Sequence, residues 1–181
     1  RGADLTYASV AAEAGVQERT VYRYFPTKQD LEAALWDWIV QRLTHTDFAA
    51  QDEQQLVAAM RESFAGFDAG ASLIHAMLHS PQGLDVRRGQ QPARRAMFGA
   101  CVDSAAPGLP LEVRDRAAAV LQVLYSAASW DLLRSLLDMD AAGAADTIEL
   151  GIRSFLSGLR QQDGRQVAGH HATHIKSGGD P

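Results

Sequence analysis

Arg19, Arg23 and Lys28, interleaved with Gln17, Glu18, Thr20, Tyr22 and Tyr24, concentrate cationic, amide, hydroxyl and aromatic groups in one short stretch. These are the groups that meet nucleic acid. An Arg guanidinium pairs bidentately with guanine, while Lys, Thr and Tyr hold phosphate oxygens without reading sequence. Arg19 and Arg23, with Gln17 and Glu18, are therefore the candidates for base edges, and Thr20, Tyr22, Tyr24 and Lys28 for phosphates. The competing reading of the same residues is a solvated helix face.

The elements that must position them can be read from local signals. Thr6 is an N-cap residue, and Val10, Ala11 and Ala14 follow at the spacing of one helix face. Gly15 ends that helix, because glycine tolerates the left-handed conformation at a helix end. Ala11 is small where two crossing helices must approach closely. Val16, Val21 and Phe25 offer apolar anchors for a second short helix from about Gln17 to Tyr24, which Pro26 stops by biasing Phe25 away from helical geometry. Thr27 and Asp30 then form a capping box, and Leu31, Ala34, Leu35, Trp38 and Leu43 continue as a third helix. Residues 5–31 thus read as a helix-turn-helix.

Gly15, Val16, Val21, Tyr22, Tyr24, Phe25 and Lys28 fall at the spacing of a known signature, and the stretch resembles the tetracycline-repressor (TetR) family of bacterial transcription regulators. The resemblance covers roughly a sixth of the chain. It implies a homodimer joined through its last two long helices, double-stranded operator DNA of roughly palindromic sequence as one partner, and a small-molecule effector held in the helical body. It also implies a further helix ahead of the motif, where this chain has only Arg1, Gly2, Ala3 and Asp4 before it. Gln17 departs from the Ser or Thr that often caps the recognition helix in the family, so a weaker cap is expected there.

Composition frames the remainder. The 181 residues suffice for one compact domain plus a small one, and 46% apolar with 22% charged residues is a globular balance. The net charge of -5 is at first sight wrong for a DNA binder. Within residues 1–30, however, Arg1, Arg19, Arg23 and Lys28 balance Asp4, Glu13, Glu18 and Asp30, so the acidity lies beyond. Residues 17–28 hold three basic groups against one acidic, and that local surface is what a phosphate backbone feels. No apolar run approaches the roughly 18–20 residues that cross a bilayer, and no leader pattern precedes the first helix, so a cytoplasmic protein without a membrane partner is expected.

Enzyme chemistry is not expected. Cys101, the single cysteine, sits amid Phe98, Ala100 and Val102 and reads as a buried inert thiol. No phosphate-binding glycine loop occurs, and His170, His171 and His174 lie in a terminal segment without supporting groups. Neither a cofactor nor a metal site is implied.

Past the head the fold class is all-α: an N-terminal helix-turn-helix head and a C-terminal helical ligand-binding and dimerisation domain. The expected division is a head over 1–30, a body over 31–162 and a disordered tail over 163–181. Helices are expected from Thr27 to Ala49, Glu53 to Phe67, Ser72 to His79, Ala93 to Ala105, Pro110 to Leu137 and Ala141 to Arg160. Pro81, Gly83, Gly89 and Pro92 mark residues 80–92 as a loop. The run from Ala117 to Ala128 is apolar almost all round, so a partner subunit is the economical cover for its second face. Ile148, Ile152, Phe155, Leu156 and Leu159 form a stripe in the last helix, with Gly151, Ser154 and Gly158 at small-residue positions.

Candidate effector-binding residues are Phe64, Phe67, His75, Met77, Met97, Cys101, Tyr125 and Trp130, large or adaptable groups of the kind that line apolar pockets. Trp36, His79, Phe98 and Asp131 belong to the same wider set, whose plainer reading is ordinary core. The whole pattern predicts a ligand-responsive repressor; the alternative is an all-helical ligand-binding or dimeric interaction protein that does not bind DNA.

Overall fold

The computed structural model describes the backbone of residues 6–43 and 49–176, and their side chains except those of 36, 37, 39–43, 82 and 166–176. Among the described residues every regular element is helical. The order is α1 (Tyr7–Ala14), α2 (Glu18–Tyr24), α3 (Lys28–Leu43), α4 (Glu53–Ala69), α5 (Ala71–His79), α6 (Pro81–Gly89), α7 (Gln91–Ala105), α8 (Leu111–Leu124), α9 (Ala127–Asp131), a π-helical turn (Leu132–Leu136) and α10 (Ala141–Lys176). The chain forms two compact units, one of residues 1–45 with 72–88, the other of residues 46–71 with 89–181. The unit that holds the helix-turn-helix therefore extends beyond the expected 1–30.

Local signals account for most of the helix starts. The Thr6 hydroxyl accepts from the Ser9 N–H and Ser9 answers onto the Thr6 N–H, a reciprocal cap. Asp52 caps α4 through the Gln55 N–H at 2.8 Å, and Ser126 caps α9 through Ser129. The segment 80–92, read from its prolines and glycines as a loop, instead contains α6. Ser80 accepts from the Gly83 N–H and Pro81 sits at the first helical position, so these residues start a helix rather than interrupt one. Gly83 is required there, because a Cβ would lie 2.0 Å from the Met77 carbonyl oxygen. Arg87 reaches back to the carbonyls of Gly83 and Leu78 and satisfies the end of α5.

In the second unit α10 runs against α4, α7 and α8, and α7 packs on α8. Leu56, Val57, Met60 and Phe64 of α4, Met97, Phe98, Cys101 and Val102 of α7, Leu121 of α8 and Ile148, Ile152 and Leu156 of α10 are buried. Fully burying each such side chain contributes about 1.5–3 kcal/mol. Along the flank of α10 that faces α4, Arg61 bonds Asp146 at 2.5 Å and Glu149 at 2.6 Å, while Arg153 and Arg160 both meet Glu53.

The expected helix from Pro110 to Leu137 is broken. Tyr125 leaves helical geometry at φ -90°, ψ 71°, and Ser126 is extended before α9 begins. Tertiary bonds account for the break: the Tyr125 hydroxyl donates to the Ala59 carbonyl and lies 2.6 Å from the Ser63 hydroxyl, while Arg94 takes the Tyr125 carbonyl at 2.6 Å. Trp130 is buried with its indole N–H on Asp68. A π turn follows, closed by the Leu137 N–H on the Leu132 carbonyl. Helix α10 continues through Lys176, past the expected end near Arg160 and into the segment read as a tail, since no proline interrupts its ladder there; residues 177–181 lie outside the described residues.

Candidate nucleic-acid interface

The geometry of the head follows from its turn. Gly15 takes φ 65°, ψ 29°, and the N–H groups of Gly15 and Val16 bond back to the carbonyls of Ala12 and Ala11, the paired bonds of a Schellman ending. Three residues later α2 begins. Gln17 stands at its N-cap with no side-chain hydrogen bond, as its departure from Ser or Thr leads one to expect. Glu18 in the first turn and Arg23 in the last both complement the helix dipole. Thr27 and Asp30 close the reciprocal cap on α3, and the two Thr27 bonds hold the Asp30 carboxyl below the usual range.

Ala11, Val21 and Leu31, one from each helix, form the buried cluster, with Tyr7, Val10 and Phe25 packed against it. Val16, expected as a second anchor, is 44% exposed instead. The residue lies in the turn itself, outside the cluster that Ala11, Val21 and Leu31 form.

Once Val21 is turned inward, the remaining α2 side chains have one place to go. Gln17, Glu18, Arg19, Tyr22, Arg23, Tyr24 and Lys28 are all exposed, and Thr20 is half-buried. Gln17, Arg19, Thr20, Tyr22 and Arg23 line one open depression. The Arg23 guanidinium lies 5.1 Å from the centre of the Tyr24 ring, a cation-π arrangement that holds the charge at the surface. Lys28 keeps a loose i,i+4 pair with Glu32 at 3.8 Å. The surface so formed is cationic and hydrogen-bonding, with two aromatic rims, on a short helix that stands clear of its own core.

Residues 1–35 match the family model described as bacterial regulatory proteins, tetR family. The head is similar to that of tetR-family regulators. No curated protein and no solved structure matches the chain. The match supports a DNA-binding transcriptional regulator, and the matched residues include the helix-turn-helix. No helix among the described residues is long and apolar enough to cross a membrane.

Sequence reasoning did not single out Tyr7. Its ring stacks on that of Tyr22 with centroids 3.8 Å apart and planes at 14°, and its hydroxyl donates to the Phe25 carbonyl at 3.0 Å. A lone aromatic at the first position of α1 has no periodic partner, and only the helix crossing brings it to a residue fifteen positions away.

The candidate effector residues fall in both units. Phe64, Met97, Cys101, Tyr125 and Trp130 are buried in the second unit, where the half-buried Phe67 ring sits 5.9 Å from Phe64 and 5.8 Å from Trp130. His75 and Met77, both half-buried, lie on α5 in the first unit. The Cys101 thiol faces the carbonyls of Ala50 and Asp52, and burial pushes its pKa up to about 11. Burial also raises the Tyr125 phenol. Asp131 accepts from the Ser135 hydroxyl, and His79 is exposed. The side chains of Trp36, His170, His171 and His174 lie outside those described.

Proposed function

We propose that this regulator is a homodimeric repressor that reads a roughly palindromic operator through α2 and releases it when a small molecule binds the helical body. The observation that carries the reading is the outward face of α2: the only residue of that helix committed to the core is Val21, and Arg19 and Arg23 stand beside it in solvent. Arg19 and Arg23, aided by Gln17 and Glu18, contact base edges; Thr20, Tyr22, Tyr24 and Lys28 fix the helix against phosphates.

The dimer is supported by what α8 and α10 leave uncovered. Val120 and Val123 on α8 are 41% and 66% exposed, and Leu150 on α10 is 68% exposed. The two helices adjoin where a Cβ on Gly151 would meet the Leu124 side chain at 3.4 Å. Ser154 and Gly158 continue the α10 face with small groups that allow a second copy close approach. Joining two heads doubles the phosphate contacts and matches a two-fold axis to a palindrome.

For the ligand, Phe64, Phe67, Tyr125 and Trp130 beside the α8–α9 break are the best-supported contacts, because the break already departs from continuous helix. The ligand acts only if it prefers the arrangement of heads that fits DNA poorly. Selection from random duplex DNA, followed by affinity measurement across salt and sedimentation of the free protein, tests the reading. A palindromic winner, a steep salt slope and a dimer are expected; a monomer, or no enriched sequence, overturns it.

A further inference from the structure

We propose that Tyr7 is a positioning residue for DNA reading: its ring and hydroxyl together hold α2 and the Tyr22 side chain at a set angle, so that the Tyr22 hydroxyl meets phosphate at one place. The inference rests on the reading of Tyr22 as a phosphate contact. Tyr22 is 48% exposed, and an exposed aromatic on a helix surface ordinarily exchanges between rotamers. Here one face of the ring is covered by Tyr7 in a near-parallel stack, so the rotamer that keeps the stack is favoured before DNA arrives.

The hydroxyl adds a second point of attachment. Phe25 is the C-cap of α2, and its carbonyl falls among the acceptors that a helix end leaves unsatisfied. Tyr7 fills it from α1 at 3.0 Å. Loss of water around the Tyr7 phenol, with Tyr22 and Asp30 nearby, raises its pKa, so it remains a donor across the physiological range. Tyr7 therefore touches α2 at its middle, through Tyr22, and at its end, through Phe25. Between them Val21 seats α2 in the buried cluster with Ala11 and Leu31. Binding an ordered side chain saves the entropy of immobilising it at the interface, which is how a residue that never meets DNA can raise affinity for it.

The test uses the full chain and the duplex enriched from random DNA, compared with a scrambled duplex. In the wild-type background, Tyr22→Phe removes the phosphate-binding hydroxyl and is expected to weaken the selected duplex about twofold to tenfold. In a Tyr7→Leu background the same change is expected to cost less than about twofold on selected and scrambled duplexes alike, because the hydroxyl is no longer held and a phosphate contact does not read sequence. Equal costs of Tyr22→Phe in the two backgrounds overturn the positioning role. If Tyr7→Leu lowers the helical content, Tyr7→Phe carries the test. Losing the Phe25 bond is then expected to weaken the selected duplex about twofold to tenfold, and unchanged affinity overturns the role. A wild type that enriches no sequence removes the Tyr22 contact and this role together; a wild type that reads DNA with Tyr7 inert removes this role alone.

Discussion

The head and the helical body reach stable helices by different means. In the head the buried cluster is Ala11, Val21 and Leu31, and the rest of the order comes from two reciprocal caps, one left-handed glycine and one tyrosine stack. In the body Trp130, Tyr125, Phe64, Phe98, Met60 and Met97 are all buried to within 2% exposure, and charged side chains lace α4 to α10. A head with so little to bury depends on backbone geometry that each cap or turn residue sets, whereas the body depends on summed burial. Small, sharply set elements leave the side chains of α2 at the surface, whereas a large core fixes the helices of the body by burial.

The most severe test of that contrast is Trp130→Ala. It removes the largest fully buried side chain and leaves the Asp68 carboxylate without the indole N–H, and is expected to cost about 3–5 kcal/mol, read as a fall in thermal midpoint. An effect below that of the head substitutions would break the comparison. Next comes Arg19→Ala, expected to lower discrimination between selected and scrambled DNA by about 1–3 kcal/mol without moving the midpoint. Gly15→Ala forces a side chain into φ 65° and is expected to cost about 1–2 kcal/mol, with a parallel loss of DNA binding. No neighbouring atom lies within 4 Å of the added Cβ, so the whole effect would be backbone strain. Lys28→Ala is expected to weaken all duplexes alike and to lower the salt slope by about one.

The mildest effect expected is that of pH on the body. Hydrogen bonds from Arg153, then from Arg61, hold the Glu149 carboxyl below its usual range. A carboxylate depressed on folding contributes stability that is present above its unfolded pKa and is lost as pH falls through the lower, folded value. The midpoint of the wild type should therefore fall on acidification below the usual carboxylate range, and that of Glu149→Gln should fall less. Its partners are largely exposed, so the difference is small and shrinks with added salt. A difference larger than that of Gly15→Ala would mean that charge, not burial, orders α10 against α4.

Legibility in the sequence follows the range of the forces involved. Thr6, Gly15, Thr27 and Asp30 act on groups within a few positions, so the ends of α1 and the start of α3 were readable in one dimension. The exposed face of α2 was readable too, because a single inward residue, Val21, determines which way the rest must point. Ser80 and Pro81 carried an equally local start signal, but it was hidden among glycines that are themselves compatible with a loop. The candidate effector set was legible only as composition: His75 and Met77 belong to the first unit, and Phe64, Tyr125 and Trp130 to the second.

Residue types alone specified an all-helical fold, the helix-turn-helix and the exposed face of α2, since helix propensity, capping and period act through bonds between near neighbours. Folding in three dimensions set the rest. Tyr125 breaks a continuous apolar helix because its hydroxyl and carbonyl find partners on α4 and α7, and Tyr7 stacks on Tyr22 because α1 crosses α2. Neither bond exists until segments distant in sequence meet, and no periodicity in a single segment can encode what the other segment will offer it.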